Sequence, residues 1–322
     1  MLLAIETSCD DTAACLYQDG QVLSHVVYRQ EMHASFGGVI PEWASREHEV
    51  KLPLAIQAAL SQAEKSYSDL KVVAAAQGPG LIGSLLIGSV YARALAAAWG
   101  IPFIGVHHLE AHVLSLELSE RPISYPILVL VATGGHTHLF RVLHPLRMEL
   151  VGRTIDDAVG EAFDKVAASL GLPYPGGPQI ETIAQSGDKE AIAFPLPHTP
   201  NPWDFSFSGL KTAFLYARQK YPDLPLSDLC ASWQHTVAVY LTEKLIGAAK
   251  AFQISRIGLV GGVAANAYLR QYLHTQAAAQ GYDLYLAPMA YCMDNAAMIA
   301  VAAWHRYLNG LYSNLTDPPF AR

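Results

Sequence analysis

The chain has 322 residues, enough for two domains at roughly 150 residues each. With 52% hydrophobic and 15% charged residues, it is no disordered chain, and its core needs no disulfide or metal staple. A net charge of −7 excludes nucleic-acid binding by overall charge, so an RNA partner must meet a local basic patch or be recruited by another protein.

In chain order, LLAI, TAACLY and QVLSHVVY predict a β-meander, its second turn at Asp19-Gly20. A long helix is predicted from about Pro41, where the missing N–H of proline costs nothing. Strand VVAAAQ, a GPG turn, an Ala-rich helix over residues 84–99 and strand FIGV complete a βαβ unit. ILVLVAT, THLFRVL after the Gly134-Gly135 turn, and MELVGR predict three further strands. GLPYPGGPQIE holds too many Pro and Gly residues for a helix and is expected to be a rigid loop. FSFSGLKT is expected to end a strand and open a helix capped by Ser206 or Ser208. RIGLVGGVAANAYLR predicts a strand, a glycine turn and a helix with Asn266 in its first turns.

LLAIETSCDDTAACLY and ILVLVATGGHTHLFRV share one pattern, an apolar strand, a turn of hydroxyls with acids or glycines, and a second strand. The repetition predicts two similar halves facing each other across a cleft, with exposed N–H groups and hydroxyls suited to phosphate. The cysteines, Cys9, Cys15, Cys230 and Cys292, have no CxxC spacing, which points to a reducing compartment. MLLAIETSCDD has no basic segment and turns acidic at once, against a signal or transit peptide. No apolar run is expected to reach the ~18 residues of a membrane span. The expectation is a cytoplasmic protein without membrane contact.

The stretch GVHHLEAH places His108 and His112 one helical turn apart on one face, close enough to share an ion. A zinc protease would use HExxH, whereas Glu110 lies roughly 200° around the helix from His108, which excludes that geometry. Asp294, in YCMDNAAMIA, is either a helix cap or a third ligand in an apolar setting. Two imidazoles and a carboxylate leave open positions on iron(II), manganese or zinc.

ETSCDDT, HASFGGVIPEWASREH, GPGL, HHLEAH, TGGHT, DDAVGEAFDK, YPGGP, FSFSGLKT, GGVAAN and DNAAMIA follow one another over nearly the whole chain. In that order they resemble the tRNA N6-adenosine threonylcarbamoyltransferase family, in its bacterial form, once misnamed as a sialoglycoprotease. The resemblance implies an α/β fold of two ribonuclease-H-like domains of the actin, Hsp70 and sugar-kinase superfamily. The expected lobes are residues 1–120 with 295–322, and residues 121–294. It implies transfer of the acyl group of threonylcarbamoyl-adenylate to the exocyclic amine of an adenosine next to the anticodon, in tRNAs reading codons beginning with A. It implies one divalent metal ion, iron(II) first and zinc second, held by His108, His112 and Asp294. The adenylate is expected to meet Val131, Ala132, Thr133, Gly134, Gly135, Asp164, Gly177 and Asn266, with Glu181 on the ribose. Thr133 stands where many bacterial relatives have serine, and Glu181 where the family often has aspartate.

An activated acyl-adenylate needs mainly orientation and charge stabilisation, plus a carboxylate to accept the amine proton. Asp10, which faces the cleft in this superfamily, is the candidate acceptor. The rival readings are an ATP-dependent sugar kinase or ATPase on the same fold, which has no use for HxxxH plus Asp294, and a non-catalytic scaffold, which would lack the metal residues. The resemblance also implies a scaffolding paralogue and a small ATPase as partners. Arg46, Lys51 and Lys211 are the candidate tRNA contacts.

Overall fold

The structure, a computed structural model, describes residues 1–321. The predicted meander forms from β1 (Leu2–Glu6), β2 (Thr12–Gln18) and β3 (Gln21–Tyr28), antiparallel in that order. β1 and β2 are buried at nearly every position, as strands covered on both faces require. The helix α1 (Pro41–Gln62) begins at Pro41 as expected. β4 (Val72–Gly78), α2 (Ile82–Trp99) and β5 (Phe103–His107) complete the βαβ unit, with β4 parallel to both β1 and β5. α3 (His108–Leu114) follows β5 directly.

The pattern then repeats. β6 (Ile127–Ala132), β7 (Thr137–His144) and β8 (Arg147–Arg153) form a second antiparallel meander. After α4 (Val159–Ser169), α5 (Gly176–Ala184), α6 (Ser208–Lys220) and α7 (Leu226–Ala251), β9 (Arg256–Val260) pairs parallel to β6. α8 (Ala267–Ala279) leads to β10 (Asp283–Leu286), parallel to β9. α9 (Ala296–Leu308) closes the described helices.

The sheet orders are β3-β2-β1-β4-β5 and β10-β9-β6-β7-β8. Read from its β8 edge, the second sheet repeats the first, three antiparallel strands then two parallel ones. The duplication expected from the two strand–turn–strand openings is therefore a duplication of a ribonuclease-H-like fold. The chain divides into two compact units, Met1–Arg121 with Met293–Arg322, and Pro122–Cys292. α9 belongs to the first unit, where its buried residues pack on β1 and β2. On the opposite face, Leu3, Ile5, Leu16, Leu52, Ile56, Val73 and Phe103 form the core beneath α1 and α2.

Three local expectations are corrected. GLPYPGGPQIE is not all loop: α5 starts at Gly176, because the Asp164 carboxylate accepts the Gly176 N–H at 2.8 Å and caps a helix that glycine and proline disfavour only in its interior. Phe205 makes a single bridge to Thr154 and no strand. Neither Ser206 nor Ser208 caps α6; instead Asp156 accepts the N–H groups of Phe207 at 2.7 Å and Ser208 at 3.3 Å.

α2 has 18 residues and a mean hydropathy of 1.4, long and apolar enough to cross a membrane, contrary to the expectation of no such run. Its composition follows from its seat on the sheet. Ser84, Leu85, Gly88, Ser89, Ala92 and Ala96 form the buried face, and the Thr7 hydroxyl donates to the Ser84 carbonyl at 2.9 Å. A Cβ on Gly88 would lie 2.3 Å from Thr7 Oγ1 and 3.2 Å from Ile5 Cγ2, so glycine sets how closely the helix approaches. Gly88→Val is expected to lower unfolding free energy by about 1–3 kcal/mol through overpacking. Denaturant unfolding measures it, and an unchanged midpoint would show that α2 can lift without cost.

Candidate metal centre and nucleotide-binding turns

β5 runs into α3 without a loop, so the first helical residue is His108 and His112 lies one turn along the same face. The third member arrives from the far end of the sequence. Asn295 caps α9, its Oδ1 accepting the Met298 N–H at 2.9 Å, which leaves Asp294 free of that duty. The capping alternative for Asp294 is thereby replaced by the neighbouring residue. Asp294 Oδ1 lies 3.0 Å from His112 Nε2 and 3.5 Å from His108 Nε2. The three candidate ligand atoms all fall within 4.8 Å of one another, and both histidines are buried.

These distances can be tested against an ion. Bonds of about 2.0–2.1 Å at tetrahedral angles separate neighbouring ligand atoms by roughly 3.3 Å. Both carboxylate-to-imidazole spacings lie near that value, so the donors fit around one cation. Two nitrogens and one oxygen suit iron(II), manganese or zinc alike and leave positions for substrate. Glu110, whose N–H donates to His107 Nδ1 at 3.4 Å, is not among the clustered ligands.

The electrostatics of the three side chains are specific. Burial disfavours a charged His108 imidazole, but the carboxylates of Glu6 and Asp294 overcome it and raise its pKa to about 10. Burial, with charged His108 beside it, lowers the pKa of His112 despite the Asp294 hydrogen bond. Asp294 is pulled well below the usual carboxylate range, its burial outweighed by the two imidazoles.

The loop between β1 and β2 lies beside this cluster electrostatically. Asp11 is almost fully buried, and burial, reinforced by Asp294 and Asp10, raises its pKa to about 8. Asp10, the residue singled out from sequence, is only partly buried. Buried His48 on α1 clamps the loop, with Nε2 at 2.9 Å from the Cys9 carbonyl and Nδ1 at 2.7 Å from the Thr12 hydroxyl. A carbonyl only accepts, so Nε2 carries the proton and Nδ1 accepts from Thr12. Sequence reasoning missed Glu6, Ser8, Asp11 and His48. The acids and the serine lie in the quoted ETSCDD motif, but nothing in it told them apart.

In the second unit, the turn after β6 is held from two sides. Thr133 and His136 close it, Thr133 N–H donating to the His136 carbonyl at 2.8 Å and Thr133 Oγ1 accepting the His136 N–H at 3.0 Å. The start of α4 donates to the same turn, Gly160 N–H to the Thr133 carbonyl at 3.2 Å and Glu161 N–H to the Gly134 carbonyl at 3.1 Å. Gly160 and Gly261 have no room for a Cβ, which would come within 2.7 Å of Thr133 O and 2.4 Å of Ala132 O respectively. Val131 and Ala132 are fully buried in the sheet, so their side chains are closed to any ligand.

Gly134, Gly135 and Gly177 differ from these. A Cβ on any of them meets nothing within 4 Å, and none has the positive φ that favours glycine. The fold itself does not ask for glycine there, whereas close approach of a ligand to the backbone would. Asp164 carries Gly176 at the start of α5, and the Glu181 carboxylate accepts the Ala267 N–H at 2.7 Å, joining α5 to the start of α8. Asn266 caps α8 through Leu269 N–H at 2.8 Å and donates to Gln234 Oε1 at 2.9 Å. A cavity of about 350 Å³ lies alongside, its lining including Glu181, Lys189, Gln234, Ala267 and Tyr268. That volume is in the small-molecule range.

The candidate tRNA contacts carry partners within the protein. Arg46 pairs with Glu42 at 2.6 Å, Lys51 Nζ lies 6.0 Å from the Tyr28 ring centre, and Lys211 pairs with Asp157 at 2.8 Å.

A family model described as tRNA N6-adenosine threonylcarbamoyltransferase (TsaD) matches residues 21–301. A protein of that name from Cytophaga hutchinsonii is 45% identical over 328 residues, covering 100% of this chain and 95% of its own. Another, from Geobacter sulfurreducens, is 50% identical over 309 residues, covering 94% of this chain and 90% of its own. Among solved structures, full-length HypF in its phosphate- and nucleotide-bound form aligns at a TM-score of 0.66 and 14% identity, a likeness of fold. The alignment covers 97% of this chain and 56% of HypF, so this chain spans about half of that protein.

His108 must lose a proton to bind a cation, while His112 is already biased to its neutral form. Zinc binding to the metal-free chain at neutral pH is therefore expected to release about one proton, with affinity rising towards pH 10. The stability that His108 gains from its carboxylates is complete below about 6.5 and lost as pH rises through about 10. Calorimetry in buffers of different ionisation enthalpy counts the proton, and none released would contradict this charge state. His108→Ala should abolish metal binding yet retain cooperative melting, since the core folds without the ion.

Proposed function

The chain belongs to the tRNA N6-adenosine threonylcarbamoyltransferase family, and from that premise we propose that threonylcarbamoyl-adenylate is its acyl donor. The proposed acceptor is N6 of adenosine 37 in tRNAs reading codons beginning with A. The observation that carries the donor assignment is the set of glycines the fold does not require, Gly134, Gly135 and Gly177, in the unit whose cavity is lined by Glu181 and Ala267. Backbone N–H groups at such turns and at helix starts suit a phosphate. Thr133, Asp164, Glu181 and Asn266 frame the adenylate site, with Val131 and Ala132 contributing backbone alone.

In the transfer, the adenosine N6 lone pair attacks the carbamoyl carbon. The bond from that carbon to the phosphate oxygen breaks, AMP leaves with its electron pair, and the N6 proton passes to a carboxylate. Asp10 is the proposed acceptor. His108, His112 and Asp294 would hold the divalent ion, iron(II) or alternatively zinc(II). When bound, the ion supplies Lewis-acid polarisation of an oxygen.

The scaffolding paralogue and the small ATPase are proposed partners of the same chain. An exposed apolar stripe supports a protein partner: Trp43, Val50 and Leu54 on α1, with Ile82, Leu86 and Val90 on α2, which packs against α1. Partner subunits would also supply RNA affinity that a chain of net charge −7 lacks.

Mass spectrometry of tRNA nucleosides after depletion of the protein tests the activity. Loss of threonylcarbamoyladenosine is the expected result, and an unchanged level would reject the assignment. Gly177→Ala tests the donor site. A methyl has space there, so the melting temperature should hold or rise slightly while affinity for a non-hydrolysable adenylate analogue falls at least about tenfold. Unaltered affinity would remove Gly177 from the site.

A further inference from the structure

The two imidazoles of the candidate metal centre present Nε2 to Asp294, but their outer nitrogens are treated differently. His108 Nδ1 lies 3.2 Å from Glu6 Oε2 and 3.2 Å from Ser8 Oγ. His112 Nδ1 is buried with no hydrogen-bond partner among the described residues.

Glu6 is the last residue of β1 and is fully buried. Its other oxygen accepts the Ser8 backbone N–H. Ser8 is fixed in turn, since its carbonyl accepts the Leu81 N–H at 2.8 Å. A Cβ on Gly80 would come within 2.5 Å of that carbonyl oxygen, so the turn after β4 packs directly on residue 8. A carboxyl group in an apolar strand is costly unless it is partnered. Here its partners are one backbone N–H and one imidazole.

We propose that Glu6 is a positioning residue for the metal centre, accepting the His108 Nδ1–H so that the Nε2 lone pair is turned to the ion. The inference rests on the metal reading of His108, His112 and Asp294. A neutral imidazole has one N–H and one lone pair, and an acceptor at Nδ1 decides which nitrogen is which. A carboxylate behind a metal-bound histidine also raises the ligand's basicity and fixes the ring plane. Ser8 Oγ is a weaker rival for the same nitrogen, because a hydroxyl can donate as readily as accept. Among the two imidazoles Glu6 hydrogen-bonds His108 alone, which leaves them inequivalent as ligands.

The test measures cobalt(II) and zinc(II) affinity of the metal-stripped full chain by competition with a chromophoric chelator. With each affinity corrected for the protons released on binding, Glu6→Gln should weaken both ions about 10- to 100-fold and shift the cobalt ligand-field bands, while melting of the metal-free variant stays cooperative. Ser8→Ala should change affinity far less. In the zinc-loaded wild type, long-range ¹H–¹⁵N spectra should show His108 protonated at Nδ1, which decides the matter even if Glu6→Gln fails to fold. The inference is overturned if Glu6→Gln, after the same correction, binds both ions within about twofold of wild type, if Ser8→Ala alone reproduces the loss, or if His108 Nδ1 carries the zinc. A wild-type chain that binds neither ion would instead bring down the metal reading itself, and the inference with it.

Discussion

Two buried imidazoles held against a partly buried carboxylate must neutralise one another or share a cation, and most of the first unit's local geometry answers that requirement. Asp294 stands 3.0 Å and 3.5 Å from the two Nε2 atoms, and Glu6 closes on the opposite side of His108. Each contact depends on a backbone that cannot drift. β5 delivers His108 with no intervening loop, Asn295 takes the helix cap, and Gly80 lets the turn after β4 press on Ser8. His48 adds a clamp from α1, binding the Cys9 carbonyl and the Thr12 hydroxyl on either side of Asp10 and Asp11. Tight backbone packing and polar satisfaction are one constraint here, since a buried ionisable group tolerates little displacement from its partner.

The two sheets share a strand order but use corresponding turns for opposite purposes. The turn after β1 carries Asp10 and Asp11 and is acidic. Its counterpart after β6 carries Gly134 and Gly135, has no acidic residue, and is clasped by Gly160 and Gly261. One turn gathers carboxyl groups beside the His108, His112 and Asp294 cluster, and the other exposes the backbone of Gly134 and Gly135. Duplication thus supplied the same scaffold twice, and the chemistry diverged at the loops, where substitution costs the core least.

The duplication was legible in the sequence because the strand–turn–strand pattern is local and repeats. The histidine pair was legible because a spacing of four residues on a helix is also local. Asp294 was visible only as an acid in an apolar setting, since nothing in a spacing of 182 residues from His112 announces contact. Its alternative role as a cap failed because Asn295, one residue on, does that work. Long-range capping explains the other misses. Asp164 and Asp156 satisfy helix starts far along the chain, at Gly176 and at Phe207 and Ser208, where local rules found a loop and a serine cap. Glu6 was unreadable for a related reason, because a glutamate ending an apolar strand looks like an edge residue until the imidazole behind it is seen. The family resemblance supplied Asp164, Gly177, Glu181 and Asn266 as a set. Spacing alone did not connect them.

The first unit is discontinuous, with β1 at one end of the chain and α9 at the other. During synthesis, β1 and β2 leave the ribosome long before the helix that covers one of their faces. His108 and His112 likewise wait through the whole of the second unit, Pro122–Cys292, before Asp294 appears. The nascent chain therefore holds a bare apolar sheet face and two of the three clustered side chains until the second unit has been made. Assembly of the His108, His112 and Asp294 cluster is thus a late event, coupled to the docking of α9, and a ribosome stalled anywhere before residue 294 yields a chain without the cluster's carboxylate.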